Sequence, residues 1–185
     1  KAGEIMERSL SHIALFAALV AVLGLVPAIS LPFGVPITAQ SLGIMLCGTV
    51  LGARNGGLAV LLFLFLTIAG LPLLAGGRGG FAVLASPTVG YIIGFPIAAF
   101  VTGLITSTWK VEVGLAATVG AVLGGILVLN GIGVVGMSVM LEKTLPEAAL
   151  LAAPYLIGDT IKAVLAGLVT QAIARARPAA LLSRG

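Results

Sequence analysis

Charged residues are scarce in this chain: Asp, Glu, Lys and Arg make up only 9% of its 185 residues. A water-soluble domain normally carries about 25% of them, so this content excludes an ordinary soluble globule. Aromatic residues make up 5%, and the basic residues stand singly, which leaves no stacking platform for nucleic acid. Hydrophobic residues instead reach 59%, so we expect lipid to be the solvent for most of the chain.

Several kinds of functional site are missing as well. The single cysteine, Cys47, excludes an internal disulfide and a cysteine-rich metal site. The single histidine, His12, has no second histidine or carboxylate cluster nearby, so neither a metal site nor an activated serine is expected. No P-loop of the form G-x-x-x-x-G-K-S/T occurs, so ATP-driven action needs another subunit. We therefore predict no enzyme activity, no cofactor and no metal.

Apolar blocks separated by proline, glycine or charged residues run along the whole chain. A helix that crosses the hydrocarbon core needs about 20 mostly apolar residues, and breaks are expected at the Pro/Gly clusters and charges. We predict an all-α membrane protein, a single integral domain over 1–185, folded as a bundle of six transmembrane helices. The predicted spans are at about 10–28, 38–53, 57–74, 87–108, 113–141 and 146–174.

The basic residues predict the orientation of these spans. Cytoplasmic loops carry an excess of Lys and Arg. If the N-terminus and the C-terminus are both cytoplasmic, only Arg78 and Lys143 lie in outer loops, and Lys162 lies within the sixth span. The remaining basic residues are then all cytoplasmic: Lys1, Arg8, Arg54, Lys110, Arg175, Arg177 and Arg184.

The exception Arg78 stands among glycines, in the stretch AGGRGG of a predicted outer loop. Glycine allows close backbone approach and positive φ, and successive N–H groups in such a turn can form a concavity that binds an anion. Together with the Arg78 guanidinium, the amides of Gly77 and Gly79 would suit a carboxylate. The alternative that these residues leave open is a flexible outer loop whose arginine contacts lipid headgroups.

Two charges interrupt the predicted sixth span, where Asp159 and Lys162 lie near the bilayer centre. A charge there costs about 2.5 to 3.5 kcal/mol even on a lenient scale, so such residues are paired or face a cavity. Their i, i+3 spacing puts both on one helix face, where they can neutralise each other and hold helices together. The functional interpretation is a pocket open to the outside, in which Asp159 accepts N–H groups and Lys162 donates to a carbonyl.

Polar residues of other spans can join this pocket. Gln40 lies near the outer start of the second span and Tyr91 lies early in the fourth, both at the level of the outer loop. Asn130, in the fifth span, is of a type that more often makes helix-to-helix hydrogen bonds, so we rank it below the other two. We therefore predict Gln40 and Tyr91 as further binding residues.

Together these motifs resemble the BioY family. The resemblance rests on GGRGG followed by SPTVGY, on TAQSLGIML at the start of the second span and on GDTIK in the sixth. The family is the biotin-binding S component of energy-coupling factor (ECF) transporters, and the likeness covers most of the chain. It implies the ECF S-component fold, a multi-pass protein of a bacterial or archaeal plasma membrane, and biotin as the transported ligand rather than a cofactor.

The resemblance also implies partners. In the full transporter an S component associates with a transmembrane T component and two ABC ATPases, which agrees with the missing P-loop. S components of this kind dock through an A-x-x-x-A face of the first helix, and Ala14 and Ala18 match it here. A monomer, a homo-oligomer and the four-part complex all stay open as working forms.

Biotin fits the residues already singled out. Its ureido ring presents two N–H donors and a carbonyl for Asp159 and Lys162, and its tail carboxylate suits Arg78 under a closing 75–86 loop. Its apolar middle would rest on groups such as Tyr91, and the reverse orientation stays open. Two alternatives remain: a self-sufficient proton-coupled secondary transporter of a small carboxylate, and a structural subunit in which the Asp–Lys pair only holds helices together.

Overall fold

The fold is helical throughout the part of the chain that the structure describes. The computed structural model describes residues 2–184, with side chains from Met6 onward, so Lys1 of the orientation argument lies outside it. Within this range the strand-like pairings are two isolated bridges, Ile29–Ile37 and Leu74–Arg78. The all-α prediction is confirmed. The α-helices are α1 (Ala2–Leu23), α2 (Gln40–Ile68), α3 (Val89–Thr108), α4 (Val113–Gly120), α5 (Leu129–Met140) and α6 (Leu145–Ala176).

The number of long helices differs from the prediction. By length and composition, 5 helices in the described residues could cross a membrane, rather than six. The predicted spans at 38–53 and 57–74 both overlap α2, and each of the other four overlaps one long helix. These helices are Met6–Leu23, Gln40–Ile68, Val89–Thr108, Val113–Met140 and Leu145–Ala176.

Glycine, proline and one capping motif determine where the helices end. The predicted first span is too long because α1 ends at Leu23, before Gly24 and Pro27, neither of which favours a helix. The predicted third span is too long because α2 ends at Ile68, before Gly70 with its φ of 120°. At the other end of the chain, the side chains of Thr144 and Glu147 form a capping box at the start of α6.

Gly52 interrupts α2 and reverses the chain. Its φ of 81° and ψ of 179° lie in a region that essentially only glycine adopts. Gly56 consequently lies so close to the first half of α2 that a Cβ there would stand 2.5 Å from the carbonyl oxygen of Cys47. In a straight helix these two residues would be about 13 Å apart along the axis. The halves 40–51 and 53–68 of α2 therefore run side by side.

We expect the substitution Gly52→Ala to destabilise the protein by about 1–3 kcal/mol, because alanine is strained in this conformation. The measurement is the thermal unfolding midpoint in detergent. Gly57→Ala is the matched control, since Gly57 is helical and a Cβ there would meet its nearest neighbours at 3.8 Å, an ordinary contact. Equal midpoints for the two variants would contradict the assigned turn.

The reversal brings the loops together at two ends of the bundle. At the first, which we call the loop end (24–39 and 69–88), the Gln40 side chain bonds the backbone of Leu73 and Ala75. At the second, which we call the tail end (109–112 and 177–184), Ser183 Oγ donates to the carbonyl of Thr49 at 2.6 Å. Arg184 Nη2 also donates there, to the carbonyl of Trp109 at 2.8 Å.

The fourth long helix changes type midway. α4 continues as a π-helical segment, Ala121–Val128, and then as α5. Gly124 and Gly125 of this segment pack so tightly against Thr102 of α3 and Met45 of α2 that a Cβ at either glycine would clash. Short π-helical stretches are rare and often occur at functional sites. Here the π-helical segment ends immediately before Leu129 and Asn130, the first residues of α5.

Candidate functional site

A cavity opens at the loop end, between α2, α3, α5 and α6. The empty space within it is about 560 Å³, with the open solvent at its mouth included. We call it the binding cavity. Its lining residues are Val35, Pro36, Ile37, Thr38, Gln40, Ser41, Leu74, Arg78, Thr88, Tyr91, Ile92, Phe95, Leu129, Tyr155, Asp159 and Lys162.

Asp159 and Lys162 form an ion pair in the wall of this cavity. Lys162 Nζ lies 3.0 Å from Asp159 Oδ1, as their i, i+3 spacing on α6 predicted. Ser41 Oγ, at the start of α2, accepts from Lys162 Nζ at 2.8 Å and donates to Asp159 Oδ1 at 3.2 Å. Asp159 is 5% exposed and Lys162 is half-buried, so the carboxylate is largely desolvated and is held by the ammonium group and the hydroxyl.

Asn130 extends this network to α5 and α3. Its Nδ2 donates to Asp159 Oδ2 at 3.2 Å and to the carbonyl of Ile126 at 3.0 Å. Its Oδ1 accepts from the Tyr91 hydroxyl at 3.3 Å. Asn130, which the sequence ranked below Gln40 and Tyr91, thus orients both the carboxylate and the tyrosine.

Two aromatic side chains form the wall between the ion pair and the loops. The rings of Tyr91 and Tyr155 meet edge-on with their centroids 5.7 Å apart. Tyr155 also donates from its hydroxyl to the carbonyl of Val35 at 2.6 Å, which ties the 24–39 loop to α6. Sequence reasoning missed Tyr155, although its position four residues before Asp159 puts both on one face of a helix.

Gln40 lies in the cavity wall, but its side-chain amide is bound to backbone. Nε2 donates to the carbonyls of Val20 at 3.1 Å and Leu73 at 2.9 Å, and Oε1 accepts from the N–H of Ala75 at 3.0 Å. With 1% of its surface exposed, Gln40 joins α1 and α2 to the loop that carries Arg78. The geometry therefore favours a positioning role, while the predicted contact with ligand stays a prediction.

Arg78 lines the same cavity from the 69–88 loop, whereas the ion pair belongs to α6. Its Nε donates to the carbonyl of Ala75 at 3.2 Å and its Nη1 to Thr88 Oγ1 at 3.4 Å. Burial lowers the pKa of the guanidinium from its ordinary value, and an arginine nevertheless stays charged in proteins. A fixed cation thus faces the cavity with hydrogen-bonding capacity to spare.

The glycines beside Arg78 shape the loop rather than line the cavity. Gly76 and Gly77 have φ values of 80° and 71°, and the Gly77 N–H donates to the carbonyl of Leu74 at 3.0 Å. Gly79 packs against the backbone of Leu71 without room for a Cβ. The predicted contact of Gly77 and Gly79 with a carboxylate therefore stays a prediction, and Arg78 is the residue of this group that faces the cavity.

Ala14 and Ala18, the predicted docking residues, lie one turn apart on α1. Both are exposed, whereas Ala17 between them is buried against the rest of the bundle. They therefore belong to one outward surface of α1, at a distance from the binding cavity. Their role in docking stays a prediction.

Gly133 makes room for Tyr91. A Cβ at Gly133 would stand 2.4–2.6 Å from the Cζ and Cε atoms of the ring. We expect Gly133→Ala to push the ring into the binding cavity and to weaken ligand binding roughly tenfold, since overpacking costs about 1–3 kcal/mol. The measurement is the dissociation constant of the ligand proposed below, by calorimetry in detergent.

Gly131 provides the control for this prediction. It lies two residues away on α5, where a Cβ would meet nothing within 4 Å. Gly131→Ala should keep the wild-type affinity and, because alanine favours helix, the wild-type stability or slightly more. Equal affinities for the two variants would show that Tyr91 need not hold its observed position.

The arrangement selects for a particular kind of ligand. α6 contributes a carboxylate acceptor and an ammonium donor to the cavity wall, and the 69–88 loop contributes a guanidinium. The wall also contains apolar and aromatic groups, among them Phe95 and Leu129. A ligand with N–H and carbonyl groups at one end, an apolar middle and an anion at the other end matches this pattern.

Comparison with known proteins identifies the family. Residues 2–179 match the model of the BioY family. The chain belongs to the BioY family. Its BioY relatives include the biotin transporter BioY of Rhodobacter capsulatus, which is 51% identical over 190 residues and covers 97% of this chain and 100% of that protein. The biotin transporter BioY of Rhizobium etli is 46% identical over 173 residues, covering 90% of this chain and 92% of its own.

A solved structure agrees with the BioY assignment. The crystal structure of the S component for biotin from an ECF-type ABC transporter superposes with a TM-score of 0.85 at 28% identity, covering 93% of each chain. The resemblance stated from the sequence is therefore confirmed, together with a fold of the S-component type. These BioY relatives are transport proteins, not enzymes.

Proposed function

We propose that this protein is the biotin-binding S component of an ECF-type vitamin transporter. The observation that carries the proposal is the binding cavity, which is lined by the Asp159–Lys162 pair from α6 and by Arg78 from the 69–88 loop. The names of the relatives point to the same ligand. The missing P-loop agrees with a subunit that captures its ligand while other subunits hydrolyse ATP.

The cavity matches biotin group by group. Asp159 accepts from the two N–H groups of the ureido ring, and Lys162 donates to its carbonyl. Arg78, together with the Thr88 hydroxyl, binds the carboxylate of the valerate tail through charge-assisted hydrogen bonds. The apolar middle of biotin lies against Tyr91 and its neighbours.

Binding of biotin tests this function directly. Protein purified in detergent without added ligand should release a molecule of the mass of biotin in native mass spectrometry, and the emptied protein should bind biotin again. If no small molecule is released and calorimetry shows no binding, the structural-subunit alternative replaces the proposal. If vesicles that contain this chain alone take up biotin under a pH gradient, the secondary-transporter alternative replaces the proposal.

We also propose that the chain crosses a bacterial or archaeal plasma membrane six times, with both termini in the cytoplasm. The reversal at Gly52 supports two crossings by α2, because it places both ends of α2 at the loop end. The positive-inside rule then puts the tail end, with Lys110, Arg175 and Arg177, in the cytoplasm.

Labelling of single cysteines tests this orientation, and the buried Cys47 leaves introduced cysteines as the reactive ones. Ser30 at the loop end and Lys110 at the tail end are both exposed. In intact cells a membrane-impermeant maleimide should label Ser30→Cys but not Lys110→Cys. Labelling of both, or of Lys110→Cys alone, would contradict the proposed orientation.

The proposed partners are a transmembrane T component and two ABC ATPases, with the exposed face of α1 as the docking surface. We expect Ala14→Trp and Ala18→Trp to reduce co-purification of the T component at least tenfold with unchanged biotin affinity, because close helix packing needs small residues. Leu15→Trp is the control on the same helix, since Leu15 is also exposed. Equal loss in all three variants would show that the effect is not specific to Ala14 and Ala18, and no loss in Ala14→Trp and Ala18→Trp would place the docking surface elsewhere.

A further inference from the structure

A second cavity lies next to the binding cavity at the loop end. Its volume is about 530 Å³ including its opening, and we call it the outer cavity. Pro36 and Arg78 line both cavities. The outer cavity is lined by Ala28, Ser30, Leu31, Gly34, Pro36, Ala75, Gly76 and Arg78.

The wall of the outer cavity is small and apolar apart from Arg78 and one hydroxyl, that of Ser30. Arg78 is its sole charged residue. Such a wall offers an anionic ligand one strong contact and little else. The outer cavity therefore suits weak, transient binding of a molecule with a carboxylate and an apolar body, rather than tight binding of that molecule.

The Arg78 guanidinium extends from one cavity to the other. Nε donates to the carbonyl of Ala75, a residue of the outer wall, and Nη1 donates to Thr88, a residue of the inner wall. Among the described residues the hydrogen bonds of the Arg78 guanidinium are these two, which use Nε and Nη1 and leave Nη2 for a ligand. A carboxylate can thus approach the same guanidinium from either cavity.

We infer that the outer cavity is a staging site for the carboxylate-bearing ligand. The inference rests on the proposed function and adds an order of events to it. Arg78 first captures the carboxylate while the ring of biotin occupies the outer cavity. The ring then swings about this ion pair, past Pro36, into the binding cavity and reaches Asp159 and Lys162.

The physical reason for this order is the cost of an unpaired charge away from water. A carboxylate that enters an apolar passage alone loses its hydration without compensation. If Arg78 holds the carboxylate throughout, the one ion pair persists from capture to final binding. Only the apolar body and the neutral ureido ring then move between the cavities.

The test is the observed binding rate as a function of biotin concentration in stopped-flow fluorescence. The sole tryptophan, Trp109, lies at the tail end, far along the chain from the cavity residues of the loop end. A fluorescent reporter is therefore moved to the loop end in the double variant Trp109→Phe, Phe33→Trp. The new tryptophan lies beside Tyr155, because the ring of Phe33 meets that of Tyr155 edge-on. A staging site predicts that the observed binding rate reaches a plateau as the biotin concentration rises. Biotin methyl ester, which lacks the charge, should reach half-saturation at a concentration at least tenfold higher.

Filling the outer cavity separates staging from other causes of saturation. Ala28→Phe in the reporter protein should raise the half-saturating biotin concentration at least tenfold and change the equilibrium dissociation constant less than twofold. Ala82→Phe is the matched control, because Ala82 is exposed at the same end but lines neither cavity. It should leave both quantities unchanged.

Three results would overturn the staging site while leaving the proposed function intact. They are a rate that stays linear up to millimolar biotin, equal half-saturation for biotin and its methyl ester, and half-saturation unaffected by Ala28→Phe. Absence of biotin binding at equilibrium would instead remove the proposed function itself. The two failures are therefore distinguishable in the same samples.

Discussion

Asp159→Ala is expected to weaken biotin binding by about 2–5 kcal/mol, the usual cost of truncating one partner of a buried, hydrogen-bonded charge pair. In affinity this corresponds to roughly 30- to 4,000-fold. The variant loses the acceptor for the ureido N–H groups and leaves Lys162 Nζ with Ser41 alone. Calorimetry with the detergent-purified protein measures the loss.

The control for this variant is its neighbour Thr160. Thr160 is exposed, and its hydroxyl donates to the carbonyl of Leu156 at 2.7 Å. Thr160→Ala should bind biotin as the wild type does. A loss of affinity there would mean that any change in α6 disturbs the cavity, and the Asp159 result would no longer identify a ligand contact.

A double variant distinguishes binding from structural support. Removal of both charges in Asp159→Asn, Lys162→Met leaves no buried charge unpaired, and such replacements of buried pairs are often neutral or stabilising. We therefore expect a melting temperature at or above that of Asp159→Ala, together with lost biotin binding. Wild-type biotin affinity in the double variant would show that the pair only holds helices together.

Arg78→Glu is expected to weaken binding of biotin far more than binding of biotin amide. A charged hydrogen bond contributes about 1.5–3 kcal/mol, or roughly 10- to 150-fold in affinity, and the new carboxylate also repels the ligand. Biotin amide has no such charge, so its affinity should fall less than about threefold. Competition binding with both ligands on one protein preparation measures the two losses.

Lys143 provides the matched control for the charge reversal. It is exposed in the connection between α5 and α6 and does not line the binding cavity. Lys143→Glu changes the net charge as Arg78→Glu does, but should leave both affinities unchanged. Equal losses for biotin and its amide in Arg78→Glu would contradict the assignment of the tail. A loss in Lys162→Met that is larger for biotin than for the amide would then support the reverse orientation.

Local patterns in the sequence predicted much of the fold. Apolar length indicated long helices, and i, i+3 spacing indicated the Asp159–Lys162 pair, because both depend on residues near one another in the chain. The same spacing argument, extended by one turn, would also have found Tyr155. The sequence predicted a break between two spans at 53–57, next to the turn at Gly52, whereas the structure has both blocks in one helical element, α2.

The remaining parts of the site depend on contacts between distant residues. Ser41 and Asn130 bond Asp159 only because α2 and α5 turn these two side chains toward it. No local pattern in the sequence predicts how these helices are rotated. Gln40 looked like a ligand contact because it is polar and lies at the right depth. Its partners, the backbone groups of Val20, Leu73 and Ala75, become visible only once the loop is folded onto α1 and α2.

The π-helical segment Ala121–Val128 determines how far α5 is rotated about its own axis, and therefore which of its residues face the binding cavity. Each residue turns an α-helix by about 100° and advances it by only 1.5 Å. Loss of one residue from this segment would thus leave α5 nearly at its present height, but would swing Asn130 away from Asp159 and Gly133 away from the ring of Tyr91. The contacts that Asn130 and Gly133 make at the binding cavity therefore depend on the winding of this one segment as well as on the residues of the cavity wall.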